Sequence, residues 1–233
     1  VLSCDAFTLR DLLARYPLHG TGRQVAAEKH DTAGTLAPVK DLHPLTKAHH
    51  TYLRKRDLCT EELILLWDVQ SFGPTPSVPV LCNRICIPLI QDREWVSFQA
   101  RTHWPDAAPR YWTCPSDEEG RFHKHCLYGW DYAKELDRVV VVEGPVDVWK
   151  LGPGAVHGFG SQLLPAQVLL LSTLRKVYFL FDSEEKAQTI ARGYCEALSM
   201  LGVDAECLEL LEYPDPGDIP AEEAQDLMKE LGF

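Results

Sequence analysis

The chain carries no apolar run long enough to span a bilayer and no visible secretory signal, so a membrane helix or an exported product is not expected. Its eight cysteines are scattered without a disulfide-like framework, which points to a reducing, cytoplasmic setting. Zinc-finger spacing is missing as well. Cys82 and Cys86, even with His123, His125 and Cys126, fit no usual zinc motif. Cys82 and Cys86 read more simply as small core residues flanking the strand "NRICIPLI". Positive charge is scarce in one half of the chain. Residues 136–233 hold 7 Lys and Arg against 17 Asp and Glu, whereas residues 1–135 hold 16 against 17. An acidic half of this kind repels nucleic acid unless metal ions bridge the two. Val1 in place of Met gives the expectation of a fragment or a processed product.

What is present suits a globular fold. The 233 residues are 45% hydrophobic and 24% charged, enough for one large or two small cores. Residues 1–44 divide into a short amphipathic helix, with Leu9, Leu12 and Leu13 at helical spacing before Pro17 and Gly20, and a Gly-, Ala-, Thr- and Pro-rich linker. Residues 45–67 read as two short helices, with Thr60 expected as an N-cap and Glu61 and Glu62 in the first turn. Three β-rich runs follow, "NRICIPLI", "EWVSFQAR" and "RYWTC", and predict a small mixed or antiparallel sheet.

The rhythm changes after residue 136. Strands at 139–143, 155–159, "KVYFLFD" and "AECLELL" alternate with helices near 145–151, 165–174, 185–200 and 220–231. Uniformly apolar strands alternating with helices predict a parallel sheet covered on both faces, in an α/β domain of about a hundred residues. Ligands of such sheets bind outside the carboxyl ends of the strands. Three strand ends each deliver a pair of acids there: Glu143 and Asp147, Asp182 and Glu184, Asp215 and Asp218. Any one pair alone reads as capping. Six acids at one edge need cations, and oxygen-only ligands suit Mg²⁺ or Mn²⁺.

At these residues the sequence resembles a known family. "VVVVEGPVDVWKL" is similar to the Glu-Gly-x-x-Asp motif of the Toprim domain, "FDSEEKAQTIARG" to its Asp-x-Asp motif, and "DPGD" to the Asp-Pro-Asp segment of primases. Upstream, "TYLRKRDLCTEELI" resembles the primase segment Tyr-Leu-x-x-Arg-Gly followed by a helix. "RICIPLIQDREWVSFQAR", "PRYWTCPSDE", "FHKHCLYGWDYA" and "GFGSQLLPAQ" resemble further ordered primase segments. The match, from about residue 50 to the C-terminus, is to the catalytic core of DnaG-type primases, compact in a phage or mobile-element style. The pattern departs at Glu184, which stands for the second Asp of Asp-x-Asp, at Gly217, where primases carry an acid and Asp218 substitutes, and at Thr113 and Cys114, where Asn-Ser is usual.

The resemblance implies a Toprim-type sheet over 136–233, preceded by an α+β primase subdomain over 45–135. It implies a metal site of Glu143, Asp147, Asp182, Glu184, Asp215 and Asp218, with Glu143, Lys124 and Arg101 as catalytic residues. Arg101, Arg110, Lys124, Arg54, Lys55 and Arg56 would contact nucleic acid or nucleotide, with Lys47 beside them. It further implies single-stranded DNA template and ribonucleoside triphosphates as partners, a replicative helicase as another, no membrane, a nucleoid-associated location, and zinc only with an upstream module, which "CDAFTLRDLLARYP" would follow. The competing functions are a Toprim nuclease, whose relatives lack the upstream block, and a nucleic-acid-binding accessory protein with a decayed site. No tyrosine-bearing strand-passage domain speaks for a topoisomerase.

Overall fold

The computed structural model describes residues 35–160 and 162–233; the helix expected around Leu9, Leu12 and Leu13 lies outside them. The first half forms β1 (Leu42–His43), α1 (Lys47–Lys55), α2 (Thr60–Trp67), β2 (Gln70–Phe72), β3 (Ile85–Gln91), β4 (Glu94–Arg101) and β5 (Tyr111–Thr113). Its five strands lie in chain order in one antiparallel sheet. Asp92 and Arg93, both at positive φ, make the tight turn that joins β3 to β4. Two strands were not expected: β2, only three residues long, and β1, which falls inside the stretch read as linker. Both are specified by pairing with a neighbour, which a short segment does not advertise. Thr60 is not the N-cap of α2. Cys59 takes that position, and the Thr60 hydroxyl is drawn inward to His50 Nδ1 at 3.0 Å. Glu61 and Glu62 do sit in the first turn.

The second half forms α3 (Trp130–Ala133), β6 (Arg138–Val142), α4 (Pro145–Leu151), β7 (Ala155–His157), α5 (Pro165–Leu171), β8 (Lys176–Phe179), α6 (Glu185–Met200), β9 (Asp204–Cys207) and α7 (Ala221–Glu230). Its four strands are all parallel, in the order β7-β6-β8-β9. The run of valines shows why a continuous apolar strand is needed here. Val139 and Val141 pack under α5 and α6 with Phe179, Phe181 and Tyr194, while Val140 and Val142 pack under α4 and α7 with Trp149 and Met228. Both faces are thus covered. The second core also takes in Leu53, Trp67, Ile85, Ile87 and Leu89 from the first half, so one apolar cluster runs between the two sheets. Trp67 stacks on Tyr128 with ring centroids 5.3 Å apart, and Trp149 donates from Nε1 to the Tyr128 hydroxyl at 2.7 Å.

Several elements are shorter than the sequence suggests: β8 takes only Lys176–Phe179 of "KVYFLFD", so Asp182 lies past its end, and α5 ends at Leu171. "AECLELL" is a strand only to Cys207, with one further bond from Leu208 N–H to the Phe179 carbonyl at 2.8 Å. β7 stops at His157, because Phe159 turns the chain at a φ of 61°. No helix among the described residues is long and apolar enough to cross a membrane.

Candidate functional site

Strand β6 leads outward to β7 and its neighbour β8 leads outward to β9, so the connections leave the carboxyl ends of β6 and β8 in opposite senses and open a crevice between them. Glu143 is the first residue past β6, half-buried at the mouth of that crevice. Gly144 is then the N-cap of α4 and Pro145 its first residue, where a missing N–H costs nothing. Asp147, at the third helical position, turns back so that its Oδ2 accepts the Gly144 N–H at 2.8 Å.

Across the crevice, the chain leaves β8 and passes Asp182, whose N–H donates to Glu143 Oε1 at 3.1 Å. Gln188, buried in the first turns of α6, holds this bend by donating to the carbonyls of Phe181 and Asp182 at 3.1 and 3.0 Å. Ser183 N–H donates to the Pro214 carbonyl at 2.9 Å, which draws in the turn carrying Asp215. Asp215 and Asp218 therefore do not follow a strand end directly, as expected. They arrive after a seven-residue irregular stretch, 208–214, and that loop-to-loop bond sets them against the bend after β8. Gly217 completes the geometry. A Cβ there would lie 2.8 Å from Asp147 Oδ1 and 3.0 Å from Asp215 Oδ1, so both carboxylates close on a space only glycine leaves.

The electrostatics follow from this crowding. Burial, then the charges of Asp215 and Asp182, pushes the Asp147 carboxyl up to about 7. Burial, then Glu143, Asp215, Glu184 and Asp218 in falling order, pushes Asp182 up to about 7. Glu143 is raised by burial and by Glu184 and Asp215. Glu143, Asp147, Asp182 and Asp215 thus form the inner group, while Glu184 and Asp218 are exposed at its margin. Among the described residues, no three His, Cys, Asp or Glu side chains are gathered closely enough to hold a metal ion as they stand. The donor set is nonetheless of the right kind: oxygen only, multiply charged and mutually repelled in the absence of a cation.

The basic residues divide in three ways. Arg101, expected to contact nucleic acid or nucleotide, is only 5% exposed. Its Nε donates to the Tyr52 hydroxyl at 2.8 Å, its Nη1 donates to the Tyr111 hydroxyl, and its guanidinium lies 4.7 Å from the Tyr111 ring centre. It is buried because two aromatic faces enclose it, yet its charge still reaches Asp147 and opposes the rise in that carboxyl. The Tyr111 hydroxyl lies 4.0 Å from where a Gly144 Cβ would stand. Arg56, over the Tyr52 ring at 5.8 Å, and the exposed Arg110 both act on Arg101 electrostatically and form the outer part of this group. Lys124 donates to the Phe159 carbonyl in the loop after β7, one strand across from Glu143 at the same sheet edge, and burial lowers its pKa. Lys47, Arg54 and Lys55 are exposed on α1, and Arg54 pairs with Glu61 at 3.6 Å in solvent.

Tyr52, Tyr111 and Gln188 were not among the site residues expected from the sequence, and Gly217 was noted only as a departure from the primase pattern. The two tyrosines carried a usable signal: Tyr52 is four residues before Arg56 on a helix, and Tyr111 sits directly opposite Arg101 across a β-pair. Gln188 carried none.

No family model matches the chain, and no curated protein matches it in sequence. Solved structures do match in fold. The Aquifex aeolicus primase, comprising its zinc-binding and RNA polymerase domains, aligns at a TM-score of 0.66 and 21% identity over 79% of this chain and 56% of that one. A DNA primase domain from Pseudomonas aeruginosa aligns at 0.64 and 22%, over 79% and 70%. The fold is that of a DnaG-type primase catalytic core. The primase fragment of the bacteriophage T7 primase-helicase protein shares it more distantly, at a TM-score of 0.57 and 13% identity over 84% of this chain and 81% of that one. The chain spans 56% of the length of the Aquifex aeolicus chain it matches.

Proposed function

We propose that this chain is the catalytic core of a DNA primase, joining ribonucleoside triphosphates on a single-stranded DNA template by metal-dependent nucleotidyl transfer. The observation that carries the proposal is the meeting of Glu143 and Asp182 at the carboxyl edge of the parallel sheet, with Asp147 and Asp215 closing on Gly217 beside them. In this reading residues 136–233 are a Toprim domain, residues 45–135 the primase-type subdomain before it, and residues 1–44 a leading segment.

Glu143, Asp147, Asp182 and Asp215, with Glu184 and Asp218 at the margin, would hold Mg²⁺ or Mn²⁺. Such an ion neutralises a triphosphate and lowers the pKa of an attacking 3′-hydroxyl. The remaining work falls to side chains. Arg101, fixed by Tyr52 and Tyr111, supplies a preorganised positive field beside the carboxylates. Lys124 supplies a second positive charge from the β7 side of the same edge. Arg56 and Arg110 lie outside Arg101 and suit the template or the incoming triphosphate; Lys47, Arg54 and Lys55 suit phosphates of the strand at longer range. A replicative helicase is the expected protein partner.

Glu143→Gln keeps the side chain's shape and removes its charge. Primer synthesis on single-stranded DNA with Mg²⁺ or Mn²⁺ should fall at least ~10²-fold in this variant, with the thermal transition retained. Parental synthesis by Glu143→Gln would remove the glutamate from the chemistry. Cleavage of DNA by the parent, with no primers made, would point instead to a Toprim nuclease.

A further inference from the structure

The resemblance to primases places glycine at the end of the Tyr-Leu-x-x-Arg-Gly segment, and this chain has Asp57 there. The backbone keeps the conformation that favours glycine. Asp57 lies at a φ of 54°, with its N–H bonded to the Arg54 carbonyl at 3.0 Å and the Leu58 N–H bonded to the Leu53 carbonyl at 3.2 Å. That is a Schellman ending of α1, closed by the contact of Leu58 with Leu53 in the core. A side chain at this position carries some strain, least for Asn and Asp.

Asp57 makes two contacts at long range in sequence. Its Oδ2 accepts the N–H of Ala221, the first residue of α7, at 2.7 Å. Lys150, in the last turn of α4, lies 3.9 Å from the same oxygen. The Lys150 side chain is 2% exposed, and its ammonium also donates to the carbonyls of Arg56 and Asp57 at 2.7 and 3.1 Å. With its donors committed to these partners and no open side, Lys150 is not placed to touch substrate. One turn therefore fastens three parts of the site. It carries Arg56 of the basic group; it holds α4, which bears Asp147 one turn earlier; and it holds the start of α7, three residues after Asp218.

We propose that Asp57 and Lys150 form a positioning clamp, which sets the carboxylates on α4 and on the 215–218 turn against each other and against the basic group. The proposal rests on the metal reading of the carboxylates for its consequence, and on the hydrogen bonds alone for its existence. Neither residue is catalytic.

Asp57→Gly is the informative variant. It relieves the left-handed strain and restores the glycine of the resemblance, so the α1 ending and the fold are kept while the carboxylate is lost. Lys150→Met is its complement. Two measurements on the full chain decide the matter: amide hydrogen exchange, and Mn²⁺ affinity by electron paramagnetic resonance. In both variants exchange should accelerate ~10-fold or more at Ala221 and in the first turn of α4, with the amides of β6 and β8 unchanged. Mn²⁺ affinity should fall about 10-fold. Unchanged exchange at these amides in both variants overturns the clamp. Faster exchange with parental Mn²⁺ affinity reduces it to a structural tie and overturns the positioning role. A parent that binds no Mn²⁺ at the carboxylates overturns the metal reading itself, and the positioning role with it; that outcome is distinct, because it appears before any substitution is made.

Discussion

Asp147 carries a charge that its surroundings oppose. It is 8% exposed, and Asp182 and Asp215 add to the cost of ionising it. Its folded pKa, at about 7, is raised above the ordinary carboxylate value, as is that of Asp182, also at about 7. The folded protein thus holds protons that the unfolded chain has released, and the metal-free protein loses stability as pH rises between about 4 and 7. Buried His157 works in the opposite sense. Its pKa is pushed down to about 3, so stability is gained as pH rises from there to the ordinary histidine value. The two partly cancel below pH 6.5, and the carboxylate effect stands clear above it. Asp147→Asn keeps an acceptor for the Gly144 N–H and removes the repulsion. Without divalent ions it should stabilise the protein by about 1–2 kcal/mol at pH 8, and by less at pH 5, in thermal or denaturant unfolding. A variant no more stable than the parent at pH 8 would show that the carboxylate is not repelled. Arg101 poses the reverse problem. Because two hydroxyls and two rings enclose it, Arg101→Ala should cost about 2–4 kcal/mol rather than leave the fold untouched. Arg101→Lys should fold better and still lose primer synthesis, since an ammonium cannot span both hydroxyls while stacking.

Among the elements, the 215–218 turn matters most and is the least regular. A single bond from Ser183 to Pro214 sets it against the bend after β8, and Gly217 leaves room for the carboxylates of Asp147 and Asp215. Gly217→Ala requires no unusual backbone angle, so its effect is local. The added methyl should push the two carboxylates apart and weaken divalent-ion binding about 10-fold or more, with a change in thermal stability under ~1 kcal/mol. Titration of Mn²⁺ into both proteins reads this directly; equal affinities would place the ion elsewhere.

For the whole molecule, the apolar cluster running from Leu53 and Trp67 to Val142 and Trp149 ties the two sheets into one cooperative body. Divalent ions that bind only the folded form should therefore raise one shared unfolding transition, by about 2.7 kcal/mol at a hundredfold excess over the dissociation constant. The rise in Tm with Mg²⁺ should be larger at pH 8 than at pH 5, because protonated Asp147 and Asp182 compete with the ion. Calorimetry at the two pH values checks this, and a transition insensitive to Mg²⁺ at pH 8 would speak against the site.

The sequence by itself determined whatever depends on neighbours in the chain. Four valines between charged ends dictate a strand buried on both faces, and alternation with helices dictates parallel pairing. Gly144, Pro145 and Asp147 write out a helix start in order. Glu143 and Asp182 could be named because strand ends in a parallel sheet share one edge by construction. Tertiary structure alone decided the rest. β1 and β2 exist through pairing, and Thr60 turned inward because His50 offered a better partner than a cap. Arg101 was buried by Tyr111, which lies across a strand pair, and by Tyr52, on a helix forty-nine residues earlier. The inner carboxylate group, and the bond from Asp57 to Ala221 across 164 residues, depend on distances that no local pattern encodes. Periodicity records which face a residue takes, but only packing sets how far it stands from a partner on another element.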